Sequence, residues 1–275
     1  MRRPRVTRTV RGRLPRAARP RRRAAASGSG APPAHLLLTE GPRAALELAA
    51  AAAASPLLAA APRGDGHAVL VLPGLFGGDP STLSLRGYLR WLNYSVSGWE
   101  RGTNVGPTEA VVSGQRARLA RLADSSGGRV SIIGWSLGGL YAHELARRSP
   151  GAVRQVVTLG SPVQLAGRGG RATSELFDRY SHLHVAPALV SRPWAEAGPL
   201  RVPATAVYTR SDGIVPWRSC LLGKGKRREN VEVYGSHHGL AHNPTVLHLL
   251  ADRLAQPDRR WQRFSPGPFL RHAYP

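Results

Sequence analysis

Three residues of the 275-residue chain have the types and settings that nucleophilic chemistry needs: Ser136, Asp212 and His237, in that order. A serine hydroxyl is a poor nucleophile at neutral pH until an imidazole takes its proton. The imidazole in turn needs a carboxylate to fix its tautomer and steady its positive charge. Ser136 lies in Gly134-Trp135-Ser136-Leu137-Gly138-Gly139, directly after the β-branched run 130–133 and before Leu140, Tyr141, Leu145 and Ala146, which recur at helical spacing. That pattern is strand, tight turn, helix. In such a G-x-S-x-G turn the serine takes a strained backbone with positive φ, and Gly134 and Gly138 lack the Cβ atoms that would clash as strand and helix close. The hydroxyl is pushed out at the carboxyl edge of a sheet, where the first helical turn offers unpaired amides and the positive end of its dipole to an anion. Taken singly, Asp212-Gly213 is a common turn dipeptide and a loop histidine is ordinarily just solvated. Three together, in this order and each at a strand end, favour the catalytic reading.

The elements that must position them follow from the apolar pattern. The run 67–72 reads as a buried strand feeding the glycine-rich turn Pro73-Gly74-Leu75-Phe76-Gly77-Gly78-Asp79, which serves either to aim a backbone amide into a site or as an ordinary loop. A helix is predicted over 82–92, a short strand over 94–99, a loop over 102–107 and a second helix over 110–122. Beyond the Ser136 helix, 153–159 reads as a strand entering Gly160-Ser161-Pro162. The pattern then breaks down over 163–203, where Pro187, Pro193 and Pro199 punctuate a basic stretch. A cap over the site is expected there, with Leu176, Phe177, Tyr180, Leu183, Leu189 and Trp194 available to line an acyl pocket or to pack on the body. Strands at 204–209 and 230–233 deliver the turns holding Asp212 and His237, and a closing helix over 244–254 turns Val246, Leu247, Leu250 and Leu254 to one face. The whole reads as one α/β domain over 62–258 with an irregular tail at 259–275.

Formal charge is +23, and the first 23 residues alone carry eleven Arg and no acid, so that the remainder keeps +12. Residues 1–33 have almost no large apolar side chains and are expected to be a disordered Arg/Pro-rich arm. No helix-turn-helix, zinc or basic-aromatic motif accompanies the charge, so specific nucleic-acid binding is not expected, while peripheral contact of the arm with an anionic membrane is. Residues 34–61 read as one or two Ala-rich helices packed on the domain. The alternative is a long secretory signal with an apolar middle at 44–54 and an A-x-A site ending at Ala61, against which stand Glu47 and the long basic start. A cytoplasmic, membrane-peripheral location is the expectation, secretion the alternative. The lone Cys220 excludes an internal disulfide and a cysteine-based zinc site. No uninterrupted apolar stretch reaches membrane-spanning length.

The motif set resembles the α/β-hydrolase superfamily, specifically bacterial serine esterases and lipases of the small lipase and inositol-deacylase-like branch, over about residues 65–255. It rests on Pro73-Gly74-Leu75, Gly134-Trp135-Ser136-Leu137-Gly138-Gly139, Ser211-Asp212-Gly213-Ile214-Val215 and His237-His238-Gly239-Leu240, with Gly64-Asp65-Gly66-His67 and His242-Asn243-Pro244 matching a largely uncharacterised group of such hydrolases. The resemblance implies an α/β-hydrolase fold with a mostly parallel sheet, helices on both faces and a short cap. It makes Ser136 the nucleophile, His237 the general acid and base, and Asp212 its orienting carboxylate. The Leu75 and Leu137 amides become the oxyanion hole, with Phe76 the second choice for the former. His237 is preferred to His238 because in similar lipases the histidine stands two residues before the Gly-Leu pair. The chain departs from the family at Pro73, where many relatives carry a histidine that braces the oxyanion loop, and at Trp135, bulkier than usual. The implied substrate is a small-molecule acyl ester or lipid, with no cofactor or metal. Acyl transfer on the same triad and non-catalytic binding of a lipid surface are the alternatives, and oligomeric state is left open.

Overall fold

The computed structural model describes residues 31–164 and 200–275. Almost all of the expected arm and cap, including the candidate acyl-pocket side chains, lies outside them. Among the described residues six strands, β1 (Ala68–Leu72), β2 (Ser95–Ser97), β3 (Val130–Trp135), β4 (Val153–Leu159), β5 (Ala204–Tyr208) and β6 (Arg228–Glu232), form one parallel sheet in the order β2-β1-β3-β4-β5-β6. β1, β3 and β4 are buried along nearly their whole length, polar Ser131, Arg154, Gln155 and Thr158 included, as in strands covered on both sides.

One side is closed by α4 (Leu83–Trp91) and α7 (Pro244–Ala255), which bring Leu85, Leu89, Leu250 and Leu254 into one core with Val69, Val71, Ile133 and Val157. On the other side α5 (Glu109–Ser126) and α6 (Leu137–Arg148) bring Leu119, Tyr141 and Leu145 together with Leu70, Leu72, Ile132 and Val156. Local chemistry sets the helix ends. The Thr108 side chain accepts from Val111 N at 3.3 Å to start α5, and left-handed Gly127 stops it. Asn243 accepts from Thr245 N at 3.0 Å, and Pro244 opens α7.

The chain leaves β1 for β2 on one side and returns to β3 on the other. Strand order therefore reverses between β1 and β3, and in open parallel sheets a ligand crevice opens outside the carboxyl ends at such a point. The turn after β3 carries Ser136 and the turn after β1 carries Leu75.

Two sequence expectations need revision and a third, the tail, gains detail. β6 starts at Arg228, not at 230, because the ladder pairs Ala204 with Arg228 and Thr205 with Glu229. Apolar patterning cannot register this start, since its first two residues are charged. The tail is irregular apart from a 3₁₀ turn at Arg271–Ala273, yet it is tied down. Buried Arg253 donates to Glu229 Oε1 at 2.8 Å and to Gln262 O at 2.6 Å, Glu229 Oε2 accepts from Phe264 N at 2.7 Å, and Tyr274 OH donates to Thr245 O at 2.8 Å. Breaking one partner of such a buried pair costs about 3–5 kcal/mol. The Ala-rich segment forms three helices, α1 (Ala34–Leu38), α2 (Glu40–Ala53) and α3 (Ser55–Ala59). In α2 it is Glu40, 2% exposed, that turns inward, while Leu46 and Leu48 are exposed. Among the described residues no helix is long and apolar enough to cross a membrane.

Candidate active site

Ser136 occupies the turn between β3 and α6 with φ 52° and ψ −121°, a conformation L-residues adopt only under constraint. The constraint comes from close packing, since a Cβ at Gly134 would fall 2.4 Å from Gly138 O and one at Gly138 would fall 2.2 Å from Leu72 O. Ser136 itself is half-buried, and among the described residues its hydroxyl makes no hydrogen bond. In free enzymes the nucleophile–base contact is often long and tightens only with substrate bound.

Asp212 and His237 meet from the turns after β5 and β6, with His237 Nδ1 2.7 Å from Asp212 Oδ2. The other oxygen, Oδ1, accepts from the amides of Ile214 at 2.8 Å and Val215 at 2.6 Å, which aims the carboxylate. A proton on Nδ1 directed at Asp212 leaves Nε2 as the free basic nitrogen. Burial disfavours the imidazolium of His237. The charge and hydrogen bond of Asp212, with the charge of Glu40 behind it, outweigh that and hold the pKa above the ordinary 6.5. His238 is half-exposed and lies 4.0 Å from Glu40, and burial together with neighbouring His237 lowers its pKa. Trp135, next to Ser136, donates its indole N–H to His237 O at 3.0 Å, and its ring centroid lies 6.2 Å from that of His237. The bulky elbow residue thus ties the elbow to the histidine loop.

The glycine-rich turn runs close beside Ser136, since a Cβ at Gly74 would sit 3.1 Å from Ser136 Cβ. Among the described residues the amides of Leu75 and Leu137 donate to no protein acceptor, whereas Phe76 N donates to Asn104 O at 2.8 Å. That corrects the second choice: an amide already held in the loop is not available to an oxyanion. Asn104, fully buried, supplies the brace that Pro73 cannot. Its Nδ2 donates to Pro73 O at 3.0 Å and Gly74 O at 3.1 Å, its backbone N donates to Gly77 O at 2.8 Å, and its Oδ1 accepts from Tyr141 OH at 3.2 Å. The sequence offered one signal for Asn104, its place in the 102–107 loop, and gave it no role.

Two further residues escaped the sequence reading. Glu40 and Glu47 of α2 reach the acid and histidine loops: Glu40 Oε1 accepts from Gly213 N at 2.8 Å and His237 N at 3.1 Å, and Glu47 Oε1 accepts from Ser236 N at 2.7 Å. The available signal was two acids seven residues apart, hence on one face of an otherwise Ala-rich helix.

A serine–histidine–aspartate contact chain also lies away from this site. His67 Nε2 lies 2.8 Å from Ser131 Oγ, and its Nδ1 meets Asp65, which is paired with Arg154 at 2.8 Å. This chain sits at the amino ends of β1 and β3, and Ser131 is fully buried, out of reach of any substrate. Burial lowers the His67 pKa in spite of Asp65, whereas at His237 the carboxylates outweigh burial.

Sheet order, elbow and loop placement define an α/β-hydrolase fold. Solved structures with this fold include Aspergillus fumigatus lipase B, at 16% identity and TM-score 0.54 over 70% of this chain and 53% of that one. EstE1, a thermophilic carboxylesterase cloned from a metagenomic library, matches at 19% identity and TM-score 0.53 over 72% of this chain and 82% of its own, and the pyrethroid hydrolase PytH at 15% and 0.50 over 70% and 99%. The chain spans about half the length of the lipase. No protein-family model matches the sequence, and no curated protein matches it significantly.

Proposed function

We propose that the protein is a cofactor-independent serine hydrolase that cleaves carboxylic esters through an acyl-enzyme on Ser136. The observation that carries this reading is the Asp212–His237 pair, 2.7 Å apart, presented at the same sheet edge as a serine held at φ 52°. Neighbouring folds that are named lipase and carboxylesterase support the choice of an ester.

In this reading His237 Nε2 takes the Ser136 proton as Oγ attacks the ester carbonyl, and Asp212 steadies the imidazolium. The Leu75 and Leu137 amides receive the oxyanion, aided by the positive end of α6. Collapse breaks the ester C–O bond, and His237 returns the proton to the departing alcohol. Water, deprotonated by His237, then attacks the acyl-enzyme, and the second tetrahedral intermediate releases the carboxylic acid and regenerates Ser136. The acyl group is proposed to be of medium or long chain.

The test is turnover of a p-nitrophenyl ester series from acetate to palmitate by wild type and Ser136→Ala. Wild type is expected to turn over, with kcat/KM rising beyond the shortest chains, and the variant to lose several orders of magnitude while staying folded. Activity of Ser136→Ala within about tenfold of wild type excludes the assignment.

A further inference from the structure

The contacts of α2 are concentrated on the backbone that flanks two of the catalytic residues. Glu40 Oε1 accepts from the amides of Gly213, at 2.8 Å, and His237, at 3.1 Å, while Oε2 accepts from His238 N at 2.9 Å. Arg43, paired with Glu40 at 2.9 Å, donates to Ser211 O at 2.7 Å and Gly235 O at 3.3 Å. Asp212 is thus gripped on both sides, at the carbonyl before it and the amide after it, and the His237 loop is held at its own amide and those around it. Two turns on from Glu40, Glu47 accepts from Ser236 N at 2.7 Å, Ser236 Oγ at 2.6 Å and Asn243 Nδ2 at 2.7 Å. His242 Nε2 lies 2.9 Å from Ala44 O. A Cβ on Gly239 would fall 2.2 Å from Glu47 Oε2, so a larger residue there would displace the Glu47 carboxylate.

From this geometry we infer that α2 belongs to the catalytic apparatus: Glu40, with Arg43, and Glu47 are positioning residues that staple the Asp212 and His237 loops together. The inference rests on the hydrolase reading above. A helix that served stability alone would bury its apolar side, but here Leu46 and Leu48 face out and the carboxylates face in. The charge placed there also has a chemical effect. The ionisable groups facing His237 are Asp212 beyond β5, Glu40 from α2 and adjacent His238, and Glu40 adds a second negative charge behind the imidazole. It favours the imidazolium formed at each proton transfer, as Asp212 does.

The test compares Glu40→Gln and Glu40→Asp with wild type by thermal melting, pH-dependent ester kinetics and NMR titration of the His237 imidazole, assigned from its loss in His237→Gln. Glu40→Gln keeps the shape, removes the charge and turns an N–H group toward an amide donor. It is expected to lower kcat about ten- to a hundredfold, the scale of a displacement near 1 Å, with KM little changed. The His237 titration and the acid limb of kcat/KM are expected to move together to lower pH. Glu40→Asp keeps the charge, so its His237 titration stays near that of wild type and part of kcat returns.

Wild-type kcat and an unmoved titration in Glu40→Gln overturn the staple, as does equal loss in both variants without a titration shift, which marks a merely structural residue. Should Glu40→Gln not fold, wild-type kcat in Glu40→Asp is the overturning result. Because the titration needs no turnover, a wild type inert on esters whose His237 still shifts in Glu40→Gln refutes the hydrolase and keeps the staple. A wild type that turns over, with Glu40→Gln indistinguishable from it, does the reverse.

Discussion

His237 and His238 are chain neighbours in different surroundings. His237 is buried against Asp212 with its carbonyl held by Trp135, while His238 is half-exposed and has Glu40 as its nearest carboxylate. His237→Ala is therefore expected to lower kcat/KM on a p-nitrophenyl ester by several orders of magnitude, and His238→Ala to stay within about tenfold of wild type. The inverse ranking would show the assignment to be off by one. The pH profile carries a sign as well. His237 acts as base only when neutral, and its carboxylate neighbours raise its pKa, so activity is lost as pH falls through a midpoint above 6.5. A midpoint below that value in wild type would mean that burial outweighs the two carboxylates in solution.

At the scale of elements, the strand–turn–helix around Ser136 was legible because its signals are local: a β-branched run, two glycines and an apolar helical stripe lie within about twenty residues. β4 and the start of α7 were legible for the same reason. The glycine-rich loop after β1 was only half so. Pro73-Gly74-Leu75 marks the turn, but its brace comes from Asn104, 30 residues on, and nothing in the loop's own sequence points there. Asn104→Ala frees Pro73 O and Gly74 O and leaves Tyr141 OH without its acceptor. It is expected to lower kcat up to about 100-fold with KM little changed, as loss of oxyanion stabilisation does, and to cost about 1–3 kcal/mol of stability. Steady-state kinetics and urea melts on the same preparation check both. Unchanged kcat with reduced stability would confine Asn104 to the fold.

At the scale of the whole molecule the chain order conceals its assembly. Glu40 lies 173 residues before Gly213 and 197 before His237, and no periodicity or motif reports a contact that long. Composition marked 34–61 as Ala-rich helix and could say nothing of what its two inward acids meet. The division matters for truncation. Deleting residues 1–30 removes eleven Arg and none of the candidate site residues, so kcat on a soluble short-chain ester is expected to be unchanged. Binding to anionic vesicles is expected to weaken at low salt, where each Arg contributes up to about 1 kcal/mol, and to differ little at physiological salt, with its Debye length of about 8 Å. Paired kinetics and vesicle sedimentation read both. A folded truncation without turnover would bring the arm to the site, and unchanged vesicle binding would assign any lipid contact to the basic body.

The central claim is that Ser136 is an activated nucleophile, and its most direct measurement is labelling of the full-length protein with a fluorophosphonate, followed by peptide mass spectrometry. A single adduct on Ser136 is expected, formed quickly at pH 8, slowed as pH falls through the His237 titration, nearly abolished in His237→Ala and absent in Ser136→Ala. Labelling that persists in Ser136→Ala, or a wild type that stays unlabelled while folded, would contradict it.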